Sequence, residues 1–197
     1  MKSSQLTALE HDILTEVATM GASHAIGPIS KMINARIDIE VPVLKLVELE
    51  DVAELMGEAD KDMTAVMVKI QGDAAGTILL LMEPRAAIEL VRPIAAGQEA
   101  AALEEIGNIL AGSALGALGH FLGLTLMQSV PGSATDMLRA MINEITAELG
   151  TQTDHILVLG ISFRTTETHI GGQLYFLFDP NSTQKILSAS RAKSGGQ

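Results

Sequence analysis

The feature that most constrains this chain is a stretch it carries twice. Leu14–Pro42, LTEVATMGASHAIGPISKMINARIDIEVP, and Leu103–Pro131, LEEIGNILAGSALGALGHFLGLTLMQSVP, align without a gap at an offset of 89 residues (105 minus 16). Leu14, Glu16, Ala22, Ala25, Gly27, Val41 and Pro42 meet Leu103, Glu105, Ala111, Ala114, Gly116, Val130 and Pro131. Most other pairs are apolar for apolar, such as Val17 with Ile106, Ile26 with Leu115 and Ile33 with Leu122. Two Ala/Leu-rich helices could match by chance along their middles. An acid at the start and Val-Pro at the end, both in register, call for a duplication.

A second register extends it. Gly76, Leu79, Leu81 and Pro84 correspond to Gly172, Tyr175, Leu177 and Pro180 at an offset of 96 (180 minus 84). The seven extra residues fall between a strand and a hairpin, so each half reads as helix, strand, variable segment, hairpin. The repeats span about 7–96 and 99–190 of one 197-residue domain. Consecutive hairpins make a mainly antiparallel sheet. The predicted class is α+β, a pseudo-twofold pair with the two long helices across one face.

The expected elements follow from periodicity. A helix from Ala8 to about Asn34, capped by Thr7 or Ser4, carries Leu9, Ile13, Val17, Met20, Ile26, Ile29 and Ile33 at helical spacing, with a bend expected at Gly27-Pro28. Arg36–Val47 alternates as a strand, with Pro42 at an edge or bulge. Glu48–Asp62 is an acidic helix or loop, and Thr64–Ile70 with Gly76–Met82 forms a hairpin before a helix from Pro84 to Ala96. The second half gives helix Ala100–Leu122, strand Leu124–Val130, amphipathic helix Thr135–Leu149, strands Ile156–Thr165 and Gly171–Phe178, and a helix from Asn181. Residues 1–6 read as loose, and Ser188–Gln197 as a flexible tail with nothing to bury.

The chemistry narrows quickly. There is no phosphate loop, nucleophile elbow or HExxH, and the histidines lack metal-ligand spacing. With no cysteine, disulfides, zinc fingers and thiol nucleophiles drop out, and the chain suits a cytoplasmic location. A formal charge of −11 argues against nucleic acid. Ile106–Met127 is long enough to span a bilayer, but it holds Asn108 and His120 without a basic flank and is read as a buried helix, not a membrane span. What remains is Glu105 and Asn108, three apart and so side by side on one helix face. A carboxylate beside a carboxamide can orient a water and a cation together.

The pattern acid, three residues, Glu, two residues, Asn, about two dozen residues and Pro, laid out twice in one chain with one departure in each copy, resembles the CheC/CheX/FliY family of response-regulator phosphatases, CheC most of all. The second copy fits with Glu105, Asn108 and Pro131, departing at Ala101, where an acid or serine is usual. The first copy fits with Asp12, Glu16 and Pro42, but Thr19 stands in the place of Asn. The resemblance implies a chemotaxis protein that hydrolyses the aspartyl phosphate of a CheY-type regulator. Asn108 would hold the attacking water and Glu105 would pair with the regulator's lysine. The Mg²⁺ would belong to the regulator, leaving no cofactor or metal on this chain, and the Thr19 site would be degenerate. The alternative within the family is a non-catalytic module that binds CheD, CheY or the flagellar switch.

Overall fold

A computed structural model describes residues 6–40, 43–95, 97–149 and 155–194. Helix α1 (Ala8–Met32) starts at Thr7, whose hydroxyl accepts from the Glu10 amide while Glu10 returns a carboxylate to the Thr7 N–H, the reciprocal arrangement that closes a helix start. The other expected cap, Ser4, lies outside the described residues, as do residues 1–5 of the expected loose stretch 1–6, and Pro42. α1 runs on through Gly27-Pro28, both on its exposed side.

The duplicated helix α4 (Glu99–Leu122) ends the way α1 does. Asn34 follows α1 with φ 50°, and its duplicate Gly123 (123 minus 34 is 89) follows α4 with φ 68°. Gly and Asn are the residues that best tolerate this left-handed conformation, so both copies carry a local stop at the same position. α4 therefore ends within the apolar run Ile106–Met127, and among the described residues no helix is long and apolar enough to cross a membrane.

Eight strands form one sheet: β1 (Ile37–Ile39), β2 (Val43–Glu48), β3 (Asp62–Gly72), β4 (Gly76–Met82), β5 (Leu126–Gln128), β6 (Gly132–Met137), β7 (His155–Thr165) and β8 (Gly171–Phe178). The order is β1-β7-β8-β4-β3-β5, with β2 also on β7 and β6 also on β3, all antiparallel. Each half thus lends its leading strands to the other half's hairpin.

The register obeys the duplication residue by residue. Ile37 faces Thr165, and its duplicate Leu126 faces Gly72; Val43 faces Gly160, and its duplicate Gly132 faces Met67. The facing residues are related by one offset of 93 (165 minus 72, 160 minus 67). Leu79 and Tyr175, duplicates at the offset of 96, face each other across β4 and β8, so the pseudo-twofold axis passes between them.

Helices cover both faces. α1, α4, α3 (Pro84–Ala95) and α6 (Pro180–Ser194) share one core with Ile78, Leu80, Phe176 and Phe178 of the sheet. The short α2 (Val52–Met56) and α5 (Leu138–Leu149) pack on the other with Leu79, Leu81, Tyr175 and Leu177. A central strand covered on both sides has no polar face, and every residue of β4 is buried.

Three expectations need correcting. The single strand expected over Arg36–Val47 is two, β1 and β2, and its duplicate over Leu124–Val130 is confined to β5. The helix expected from Thr135 begins only at Leu138. Thr135 instead lies in β6 opposite Thr64, their hydroxyls 2.8 Å apart, a cross-strand pair that favours the extended chain. The predicted tail from Ser188 is helical through Ser194, and only residues 195–197 lie outside the described part. α6 starts at Asp179, which accepts from the Ser182 amide at 2.8 Å with Pro180 in the first turn. It buries Ser182, Thr183, Ile186, Leu187 and Ser190 along one stripe, and Arg191 pairs with Glu10 of α1. Three of these five are small polar residues, which is why apolar periodicity did not show the stripe.

Candidate active site

α4 lies against β3 at a point fixed by Gly107. A Cβ on that residue would fall 2.5 Å from Val66 Cγ1 and 3.9 Å from Pro131 Cβ, so only glycine lets the helix come this close. The residue between Glu105 and Asn108 is therefore pressed onto the sheet, with Pro131, at the junction of β5 and β6, beside it. This assembles the three motif residues of the second copy from elements 26 residues apart (131 minus 105).

Their environments differ. Glu105 is exposed and its carboxylate makes no hydrogen bond or ion pair among the described residues. Neighbouring Glu104 is occupied, accepting from the Ser133 hydroxyl at 2.8 Å. Asn108 is half-buried, and its Oδ1 accepts from Gln128 Nε2 at 2.6 Å; the same nitrogen donates to the Asn108 backbone carbonyl at 3.3 Å. One helix face thus offers a free negative charge next to a carboxamide that is held in place. Such a pair can bind a cationic side chain and fix a water at once.

The first copy is built differently. Asp12, Glu16 and Thr19 are all exposed on α1. The Thr19 hydroxyl donates to the Thr15 carbonyl at 2.8 Å, so its one proton is spent on its own helix. Ile39 stands where the second copy has Gln128 (128 minus 89), and its side chain has no polar atom with which to orient an amide. Gln128 was not singled out from the sequence. The one available sign was that positions 108 and 128 are polar amides in one copy and Thr19 and Ile39 in the other.

Over 90% of this chain and 92% of the relative, the sequence is 30% identical to the CheY-P phosphatase CheC of Bacillus subtilis (strain 168). The chain belongs to the CheC-like family. The family profile itself, described as CheC-like family, matches residues 99–134, the segment that holds Glu105, Asn108, Gln128 and Pro131. Among solved structures, Thermotoga maritima FliY superposes with a TM-score of 0.77 at 17% identity, covering 95% of this chain and 98% of that one. CheX of Borrelia burgdorferi, solved in complex with CheY, BeF3 and Mg²⁺, superposes with a TM-score of 0.53 at 17% identity, over 83% of this chain and 95% of that one. At these identities the two structures establish the fold, the pseudo-twofold α+β architecture expected from the duplication and implied by the family resemblance.

Proposed function

We propose that this CheC-like protein hydrolyses the aspartyl phosphate of a CheY-type response regulator, with Asn108 and Glu105 as its catalytic residues. The observation that carries the reading is the contrast between the two side chains: a carboxylate left free at the surface beside a carboxamide pinned on its oxygen, on a helix wedged against the sheet. The named activity of the Bacillus relative supports it, and so does a CheX of the same fold bound to CheY.

The chemistry asks little of this chain. An acyl phosphate is already activated, so placing one water and the charges around phosphorus supplies most of the available acceleration. Asn108 Nδ2 donates to the water oxygen and leaves a lone pair to face phosphorus in line. The new O–P bond forms as the bond to the aspartyl oxygen breaks. Aspartate leaves as a carboxylate, and the protons of the water pass to the phosphate and to solvent. Glu105 pairs with a lysine beside the phosphoryl group, which brings the two surfaces into register. Mg²⁺ is held by the regulator, and no residue of this chain is assigned to it.

The test is phosphate loss from a phosphorylated regulator in the presence of the purified protein. Asn108→Ala is expected to lower the rate by about 10²-fold, the usual effect of removing one aimed donor, while the variant stays folded. Rapid release by a folded Asn108→Ala would remove Asn108 from the mechanism. A wild-type protein that binds the regulator without turnover would leave the binding-module alternative in its place.

A further inference from the structure

We propose that Gln128 is a positioning residue for this site: it fixes which end of the Asn108 carboxamide faces the solvent. The proposal rests on the reading of Asn108 given above and concerns how that residue is held.

The orientation follows from the one partner that cannot be reversed. A backbone carbonyl only accepts, so the end of Gln128 that meets the Asn108 carbonyl must be its NH2. The same Nε2 faces the Asn108 side chain at 2.6 Å, so the atom it meets there must also be an acceptor, Oδ1. Nδ2, the donor end, is then turned away from Gln128, and among the described residues it has no acceptor. A reversed Gln128 would set Oε1 against a carbonyl oxygen. Its Oε1 is instead buried with no partner among the described residues, a cost accepted in exchange for the two donations.

Gly112 leaves room for this reach. A helical carbonyl is flanked by the side chain four residues on, and for Asn108 that position is Gly112. A Cβ there would lie 3.2 Å from Gln128 Oε1 and 3.6 Å from Nε2. Three mutually dependent positions, Asn108, Gly112 and Gln128, are replaced together in the first copy by Thr19, Ser23 and Ile39 at the offset of 89. The copy without the amide also lacks the glutamine that aims it and the glycine beside it.

The experiment compares Gln128→Met and Gln128→Glu with the wild type and Asn108→Ala. Phosphate loss is measured at saturating protein, and affinity is read separately with the beryllofluoride-loaded regulator. Methionine keeps the shape but frees the Asn108 amide to rotate, and kcat should fall about fivefold as the donor end loses its fixed direction. Glutamate accepts and so draws Nδ2 inward, taking kcat down to the Asn108→Ala level. Affinity and melting temperature should be unchanged in the methionine variant. The graded order Gln, Met, Glu in kcat is not what a packing role produces. In the wild-type protein alone, the Gln128 Nε2 protons should exchange more slowly with solvent than those of an exposed glutamine.

If both variants turn over at the wild-type rate while Asn108→Ala is inactive, the assignment of Gln128 fails and that of Asn108 stands. If Asn108→Ala itself keeps the wild-type rate, the reading of the site fails, whatever Gln128 does. Nε2 protons that exchange as fast as in free glutamine would also overturn the assignment, without reference to any variant.

Discussion

The sharpest test of how the site is built is Gly107→Ala. On an open helix surface this change raises stability by about 1 kcal/mol, because alanine is the better helix former. Here the new Cβ would stand 2.5 Å from Val66 Cγ1, against an ordinary carbon–carbon contact of about 3.5–4.0 Å, so α4 must lift from β3 by about 1 Å. Val66 is buried in the middle of β3 and paired on both sides, to Leu80 and Ser133, and cannot give way easily. Overpacking of this kind costs about 1–3 kcal/mol. Taking the upper end and subtracting the helix gain, the expected loss is about 2 kcal/mol, or about 4–8 °C in melting temperature for a chain of this size. Because residue 107 lies between Glu105 and Asn108, the same displacement moves both side chains, and an error of about 1 Å in a catalytic group can cost about 10²-fold in rate. The assay is a denaturant melt beside phosphate release from the phosphorylated regulator. Adding Val66→Ala removes the clashing methyl and should restore much of the turnover, with stabilities less than additive. A Gly107→Ala protein that is more stable than wild type and equally active would refute the reasoning.

Other outcomes follow from the same geometry. Thr19→Asn alone should add little turnover, since Ile39 cannot orient the amide; the triple change Thr19→Asn, Ser23→Gly, Ile39→Gln should add clearly more, measured in an Asn108→Ala background so that only the first copy is read. Tyr175 is the only tyrosine, and burial pushes its phenol up to about 12 from an ordinary 10. One unit above the ordinary value its tyrosinate absorbance should therefore be only about a tenth of full strength in the native protein and rise to most of it on unfolding. The unfolded chain releases this proton first, so stability is intact below the ordinary value and falls as pH rises toward the folded one, by about 3 kcal/mol over the interval at 1.36 kcal/mol per unit. Denaturant melts at several alkaline pH values check the sign.

The candidate site was only half legible in the sequence. Glu105 and Asn108 could be paired because three residues apart on a helix means one face, and Pro131 could be attached to them because the duplication repeated it. Gly107 and Gln128 could not be placed, since each acts through a partner on another element: Val66 on β3 for one, the Asn108 amide on α4 for the other. The helix expected from Thr135 failed for a related reason. Its first three residues are claimed by pairing with β3, 71 residues away (135 minus 64), which local propensity does not register.

By itself the amino-acid order settled everything that repeats within a turn or two: the long helices, their stops at Asn34 and Gly123, the continuous apolar run of β4, and the existence of two equivalent halves. These are short-range properties, decided by backbone sterics and by the spacing of apolar side chains. The folded molecule alone decided that each half would lend its strands to the other, that the axis would pass between Leu79 and Tyr175, and that a glutamine 20 residues away (128 minus 108) would hold Asn108 by its oxygen. Those depend on which surfaces meet once the chain closes on itself, and residues distant in sequence carry no local mark of the contacts they will make.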